Sequence, residues 1–183
     1  MTRPFNKCTL IAALTLIAGC AGSEQPRGTA PPYARGGTTH RRVPGGETVT
    51  PAEYVAQTSS IELFLIGASE LALRKSTNAR TREFAQIEIA AHKGTSAQLS
   101  LEGRRLNLLP SATLSPRHQA MLNALEQATD FDALYRLDEL NVHREAEGLH
   151  SRYAAGGSSP TLRPVAAVIL PIVQRHLRML KYL

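Results

Sequence analysis

Two pairs of side chains, Glu88/His92 and Glu139/His143, each place an acid and an imidazole four residues apart. On a helix that spacing lets the two groups meet on one face. A third histidine, His176, lies in the middle of an apolar face near the C-terminus, formed by Val165, Ile169, Ile172, Val173, Met179, Leu180 and Leu183. Burying several ionisable groups is costly unless they pair, neutralise or bind a metal. Two chemistries fit. In one, Glu and Asp orient neutral histidines in a hydrogen-bonded polar cluster. In the other, His92, His143 and His176, with Glu88, Glu139 or Glu62, ligate a transition metal between facing helices, as bundle metal sites do. The Glu-x-x-His spacing of di-iron bundles is absent from both pairs.

The stripes that carry these groups are helical. Phe84, Thr95, Leu99 and Leu106 share a face with Glu88 and His92, while Phe131, Leu134, Tyr135, Val142, Leu149 and Tyr153 form another that includes Asp138. Glu139 and His143 fall on the flank of the second stripe. Each of His92, His143 and His176 falls toward the middle of its helix, so antiparallel packing would bring them to a similar depth. Of the other histidines, His40 and His118 lie in a linker and beside a loop, and His150 has no evident partner. A Gly-rich phosphate loop, a His-Glu-x-x-His motif and a Gly-x-Ser-x-Gly elbow are all missing, which argues against a conventional nucleotide enzyme or hydrolase.

Helix punctuation sets the architecture. Thr50-Pro51-Ala52-Glu53 reads as an N-cap, a proline at the first helical position and a capping-box glutamate, opening a helix to about Lys75. Thr77 or Asn78 caps a second helix to about Leu106, and a loop with Pro110 follows. Ser115-Pro116 starts a short helix. Thr129-Asp130 starts a long one ending near Ala155 at Gly156-Gly157, and Ser159-Pro160 opens the last, kinked at Pro171 and running to the C-terminus. The expected fold is all-α: an up-down four-helix bundle over residues 50–183 with one extra short helix.

The N-terminal part differs in kind. Arg3 and Lys7 precede an uncharged run from Cys8 to Ala18, and Leu16-Ile17-Ala18-Gly19-Cys20 closes it. This is the order of a signal peptide, here residues 1–19, and it resembles the lipobox of bacterial lipoproteins, in which the cysteine is acylated. The run is shorter than the roughly 20 residues that a spanning helix needs. A lipid on Cys20 would supply the anchor, at about 0.8 kcal/mol per buried CH₂. Ala21 and Gly22 after the cysteine favour the outer membrane, facing the periplasm. With Cys8 removed and Cys20 acylated, no internal disulfide remains. Residues 20–49 are rich in Pro and Gly and poor in aliphatic residues, the composition of a disordered tether reaching about 30 Å. Residues 1–19 hold two basic and no acidic side chains, so the full chain's net charge of +6 falls to +4 without them. No basic stripe with a recognition motif appears, so nucleic acid is not an expected partner.

The segments Phe84-Ala85-Gln86…His92, Tyr135…His143 and Leu170-Pro171…His176-Leu177 resemble the family known as domain of unknown function 4142, over about Tyr54 to Leu183. The resemblance implies a ferritin-like helical fold in an envelope or secreted protein and carries no activity with it. Two positions depart from its pattern. Ala91 precedes His92 where the family usually has Asp, and Glu62 and Glu70 lie about a turn to either side of its first-helix acid. The reading that follows is a lipid-anchored cell-envelope protein whose bundle binds or scaffolds another envelope protein without catalysis. The alternative is a ferritin-like metal-binding or metal-redox bundle.

Overall fold

The structure, a computed structural model, describes residues 49–183. The signal peptide, Cys20, His40 and nearly all of the tether lie outside the described residues. The described residues are all-α, with α1 Pro51–Lys75, α2 Ala79–Arg105, α3 Pro116–Glu126, α4 Phe131–Gly156 and α5 Leu162–Met179, followed by a 3₁₀ turn at Leu180–Tyr182.

The caps explain where most helices begin. The Thr50 hydroxyl accepts from the Glu53 amide at 3.2 Å, and the Glu53 carboxylate accepts from the Thr50 amide at 2.7 Å, closing the capping box that the sequence predicts. Asn78 caps α2 by accepting from Arg80 N–H, Ser115 caps α3 by accepting from His118 N–H, and Asp130 caps α4 by accepting from Ala133 N–H. The end of α2 is a Schellman motif built on asparagine. Asn107 takes φ of 55° while the Leu108 amide donates to Gly103 O at 2.9 Å and the Asn107 amide to Arg104 O at 3.2 Å. A Cβ on Gly103 would stand 2.3 Å from Leu108 O, so this return of the chain requires glycine.

The last helix departs from the sequence expectation at its far end. Its regular α-helical run is Leu162–Met179, and Ser159 caps the turn before it as the sequence predicts, with Pro160 in the first position. The Ser159 hydroxyl accepts from the Leu162 amide at 3.2 Å and its carbonyl from the Arg163 amide at 3.1 Å. The helix continues through Pro171, whose ring faces solvent, and stops at Met179. His176 therefore sits in the last turn of α5 and not in the middle of a longer helix.

Consecutive helices alternate in direction. The first two are antiparallel, with Arg82 reaching Leu73 O and Glu62 reaching Thr95. The short α3 climbs back along α1, since His118 meets Ser60 and Lys75 meets Glu126 O near the far end. The fourth helix then descends antiparallel to α1, pairing Ser69 with Tyr135 and Tyr54 with His150. The fifth ascends beside α4, with Arg136 opposite Leu180 and Glu147 opposite Gln174. Because α3 spans the return, α2 and α4 run parallel on diagonal corners, the single-crossover arrangement of ferritin-like bundles. Tyr54, Phe64, Leu65, Leu99, Tyr135 and Ile169 fill the core. Leu106, Phe131, Leu134, Ile172, Met179 and Leu183, expected on the buried stripes, are only partly buried because they lie at helix ends or beside open seams.

Candidate metal centre

Four side chains from three helices converge inside the bundle. Glu88 and His92 come from α2, His143 from α4 and His176 from α5, and one potential ligand atom from each lies within 4.8 Å of all the others. The three imidazole rings form a near-equilateral triangle, with centroids 5.3, 5.5 and 5.6 Å apart. The similar depth anticipated for the histidines is thus realised. All four residues are buried, His176 at 1% exposure and the others at 0%.

Glu88 is the hub. Its Oε2 stands 3.0 Å from His92 Nε2, and its Oε1 stands 2.6 Å from His176 Nδ1 and 3.4 Å from His143 Nε2. His143 Nε2 and His176 Nδ1 are 3.4 Å apart. Metal bonds of about 2.1 Å set tetrahedral ligand separations of about 3.4 Å, so these nitrogens and the carboxylate are already near coordinating distance.

Glu62 and Glu139 stand behind the histidines rather than among the converging atoms. Glu62 Oε2 lies 2.9 Å from His92 Nδ1 and accepts from Thr95 Oγ1 at 2.6 Å. Glu139 places its backbone oxygen 2.8 Å and its Oε2 3.4 Å from His143 Nδ1. An Nδ1–H donated backwards fixes the tautomer and presents the Nε2 lone pair to the centre, the support that metal-bound histidines generally have. His176 differs, facing the centre with Nδ1 while its buried Nε2 has no partner.

The electrostatics follow from this layout. Burial alone would raise the Glu88 pKa, but electrostatic attraction towards His143 and hydrogen bonds from His143, His176 and His92 hold it well below the usual carboxylate range. Burial likewise opposes charge on His92, yet Glu62 and Glu88, one at each ring nitrogen, raise its pKa well above the ordinary histidine value. Glu139 goes the other way: burial, then the nearby Glu88 carboxylate, push it well above the normal carboxylate value against the pull of His92. Without metal, the centre holds an ionised Glu88 and an imidazolium at His92, while Glu139 is biased towards its neutral acid.

The position of Glu139 and His143 corrects the sequence expectation. Both are fully buried, whereas Asp138, expected inside the stripe, sits at its margin with 7% exposure. Helix α4 is covered by α1, α3 and α5, so its buried arc is wider than the apolar stripe alone suggests. Glu62 reaches the centre's periphery, whereas Glu70, a little over two turns on, is exposed and pairs with Lys93. Ala91 is half-buried at the rim. His150 does have a partner: its Nδ1 is 3.0 Å from the Tyr54 hydroxyl, and burial lowers its pKa to about 3. His118 is bonded to Ser60 Oγ at 2.7 Å, fastening α3 to α1. Sequence spacing gave no signal for either pair, because their members come from different helices. Thr95 was legible only as a stripe position, three residues after His92.

No curated protein matches the chain in sequence. Among solved structures, CopM in the Cu(II)-bound form is similar at 16% identity and a TM-score of 0.64, covering 74% of this chain and 96% of that one. A DUF305 fragment from Deinococcus radiodurans is similar at 15% identity and a TM-score of 0.62, with the same coverage. Both likenesses concern the helical-bundle fold. The sequence itself matches a family profile over residues 38–183, and the chain belongs to that family, Domain of unknown function (DUF4142).

Proposed function

We propose that the bundle holds one transition-metal ion between Glu88, His92, His143 and His176. The observation that carries this reading is the convergence of four buried ligand atoms within 4.8 Å of one another. Two histidines are backed by acceptors at Nδ1 and turn Nε2 inward, and Glu88 turns its oxygens to the same point, 3.0 Å from His92 Nε2 and 2.6 Å from His176 Nδ1. One carboxylate and three imidazoles brought this close in a buried site are costly as a bare polar cluster and form the donor set of a ligand site. Imidazoles with one carboxylate suit zinc, iron, nickel or Cu(II), and disfavour Cu(I), which prefers thiolates and thioethers. A bound ion would supply Lewis-acid or redox capacity. The chain's own part is to fix the donors, exclude water and release the His92 Nε2 proton as metal enters. The copper-bound state of CopM shows that a protein of similar fold takes copper, which makes Cu(II) one metal to try.

The test is metal analysis of the chain after separate incubation with zinc, iron, copper and manganese and removal of excess. The expected result is one ion per chain for one of these metals, lost in His143→Ala and His176→Ala, together with a rise in melting temperature. No stoichiometric ion and no shift with any of the four would refute the reading.

The tether and lipobox support placing this bundle at a membrane through acylated Cys20, on the periplasmic side of the outer membrane. Cys20→Ala should leave the precursor unprocessed and release protein from the membrane fraction. Normal cleavage and retention of that variant would refute the anchor.

A further inference from the structure

On the outer side of the α4–α5 seam, two adjoining cavities of about 400 and about 280 Å³ share Glu147, Leu177 and Lys181, and so form one continuous groove. Arg136 and Arg144 line it from α4, and Arg178 and Lys181 from the end of the α5 side. All four cations are exposed, and among the described residues none of them is in an ion pair; what sets them apart is that they line one depression together. The one acid in the groove, Glu147, accepts from the Gln174 amide at 3.2 Å. Arg136 Nε donates to Leu180 O at 3.2 Å, closing one end of the groove without neutralising its charge. Between the cations lie Leu140, Leu177 and Leu180.

We propose that this groove binds the phosphate head and proximal apolar part of an anionic phospholipid. Four unpaired cations facing one concavity create a positive potential that concentrates anions. Guanidinium forks match phosphate oxygens in pairs, and the lysine adds a point charge. A free phosphate ion would use the cations but leave the half-buried Leu140 and Leu177 between them without a role, Leu180 belonging to the core. A lipid uses both, laying its glycerol and first methylenes on leucine while the arginine and lysine stems flank them. Both depressions are shallow and open to solvent, so the groove takes a headgroup and not a whole lipid. The inference does not rest on the metal centre, whose ligands His143 and His176 are buried inside the bundle.

The experiment is isothermal titration of the full chain with a short-chain phosphatidylglycerol below its micelle concentration. Short-chain phosphatidylcholine and inorganic phosphate serve as parallel arms, each repeated on Arg144→Glu/Lys181→Glu. Phosphatidylglycerol is expected to bind at least tenfold more tightly than either control, and the double variant to lose at least tenfold. Equal binding by variant and wild type would overturn the site. Equal binding of phosphatidylcholine would overturn the role of charge, and equal binding of inorganic phosphate would overturn the lipid. If the double reversal unfolds, Arg144→Gln and Lys181→Gln, checked by circular dichroism, are each expected to lose severalfold, and no loss in either would overturn the proposal.

Discussion

Glu88→Gln isolates the charge at the hub of the centre while keeping its volume, so no cavity contributes. In the metal-free protein Glu88 faces three imidazoles at 2.6 to 3.4 Å with no exposure to water. Removing one member of a buried charged pair costs about 3–5 kcal/mol, because the partner is left uncompensated. The Glu62 carboxylate still faces His92 at 2.9 Å, so the lower half of that range is expected. In a domain of this size 1 kcal/mol shifts the melting temperature by about 3–5 °C, giving a fall of roughly 9–20 °C. The pH dependence has a defined direction. Glu88 has a depressed pKa in the fold, so its contribution is present above the unfolded carboxylate value near 4.5 and is lost as pH falls through the lower folded value. His92 is raised in the fold, so its contribution is complete below the unfolded value near 6.5 and is lost as pH rises through the folded value. The deficit of Glu88→Gln should therefore be greatest between those limits and vanish in strong acid. The assay is thermal and urea unfolding followed by circular dichroism, in chelator, from pH 3 to 9. A variant melting within about 2 °C of wild type at pH 6 would refute the ion-paired description of the metal-free centre. Added metal sharpens the comparison, since an ion at a thousandfold excess over its Kd stabilises by about 4 kcal/mol. If Glu88→Gln kept that whole gain, Glu88 would not be a ligand.

Other perturbations follow from neighbouring groups. Glu139→Gln should stabilise the metal-free protein at pH 7 by about 1–3 kcal/mol, because the buried carboxylate resists ionisation in the fold but not in the unfolded chain. The gain should grow as pH rises from 4.5, and destabilisation in urea titrations at pH 7 would contradict it. His150, with its pKa lowered to about 3, destabilises the fold as pH drops from 6.5 towards that value, by up to about 1.4 kcal/mol per pH unit. His150→Leu should flatten this acid limb at a fixed cost from the orphaned Tyr54 hydroxyl, and an unchanged slope would show that another group sets it. Gly103→Ala should cost about 1–3 kcal/mol, since its Cβ would meet Leu108 O at 2.3 Å. Melting like wild type would mean that the turn after α2 yields freely.

How far the sequence foretells this protein depends on whether the information is local. Caps are local, so Thr50, Asn78, Ser115 and Asp130 mark helix starts within a residue. The i,i+4 spacing of Glu88 and His92 is local too, and it fixes half of the centre on α2 before any packing is known. The width of the buried arc of α4 is not local. It depends on how many neighbours cover that helix, and so Glu139 and His143 read as flanking residues although they are fully buried. The end of α5 follows the same rule, because the α-helix stops at Met179 where hydrophobic periodicity would have carried it to the C-terminus.

Glu62 marks the boundary between the two kinds of information. Its contact with His92 joins residues thirty positions apart, and the antiparallel register of α1 and α2 decides it. That register places Glu62, and not Glu70, opposite His92. Thr95 then holds the same Glu62 oxygen from the next turn of α2. A carboxylate selected by packing, fixed by a threonine and directed at the ring nitrogen turned away from the centre does more than satisfy a buried histidine. It chooses which nitrogen of His92 faces Glu88, His143 and His176. Orienting that lone pair is what a ligand set requires and what a merely apolar core would not.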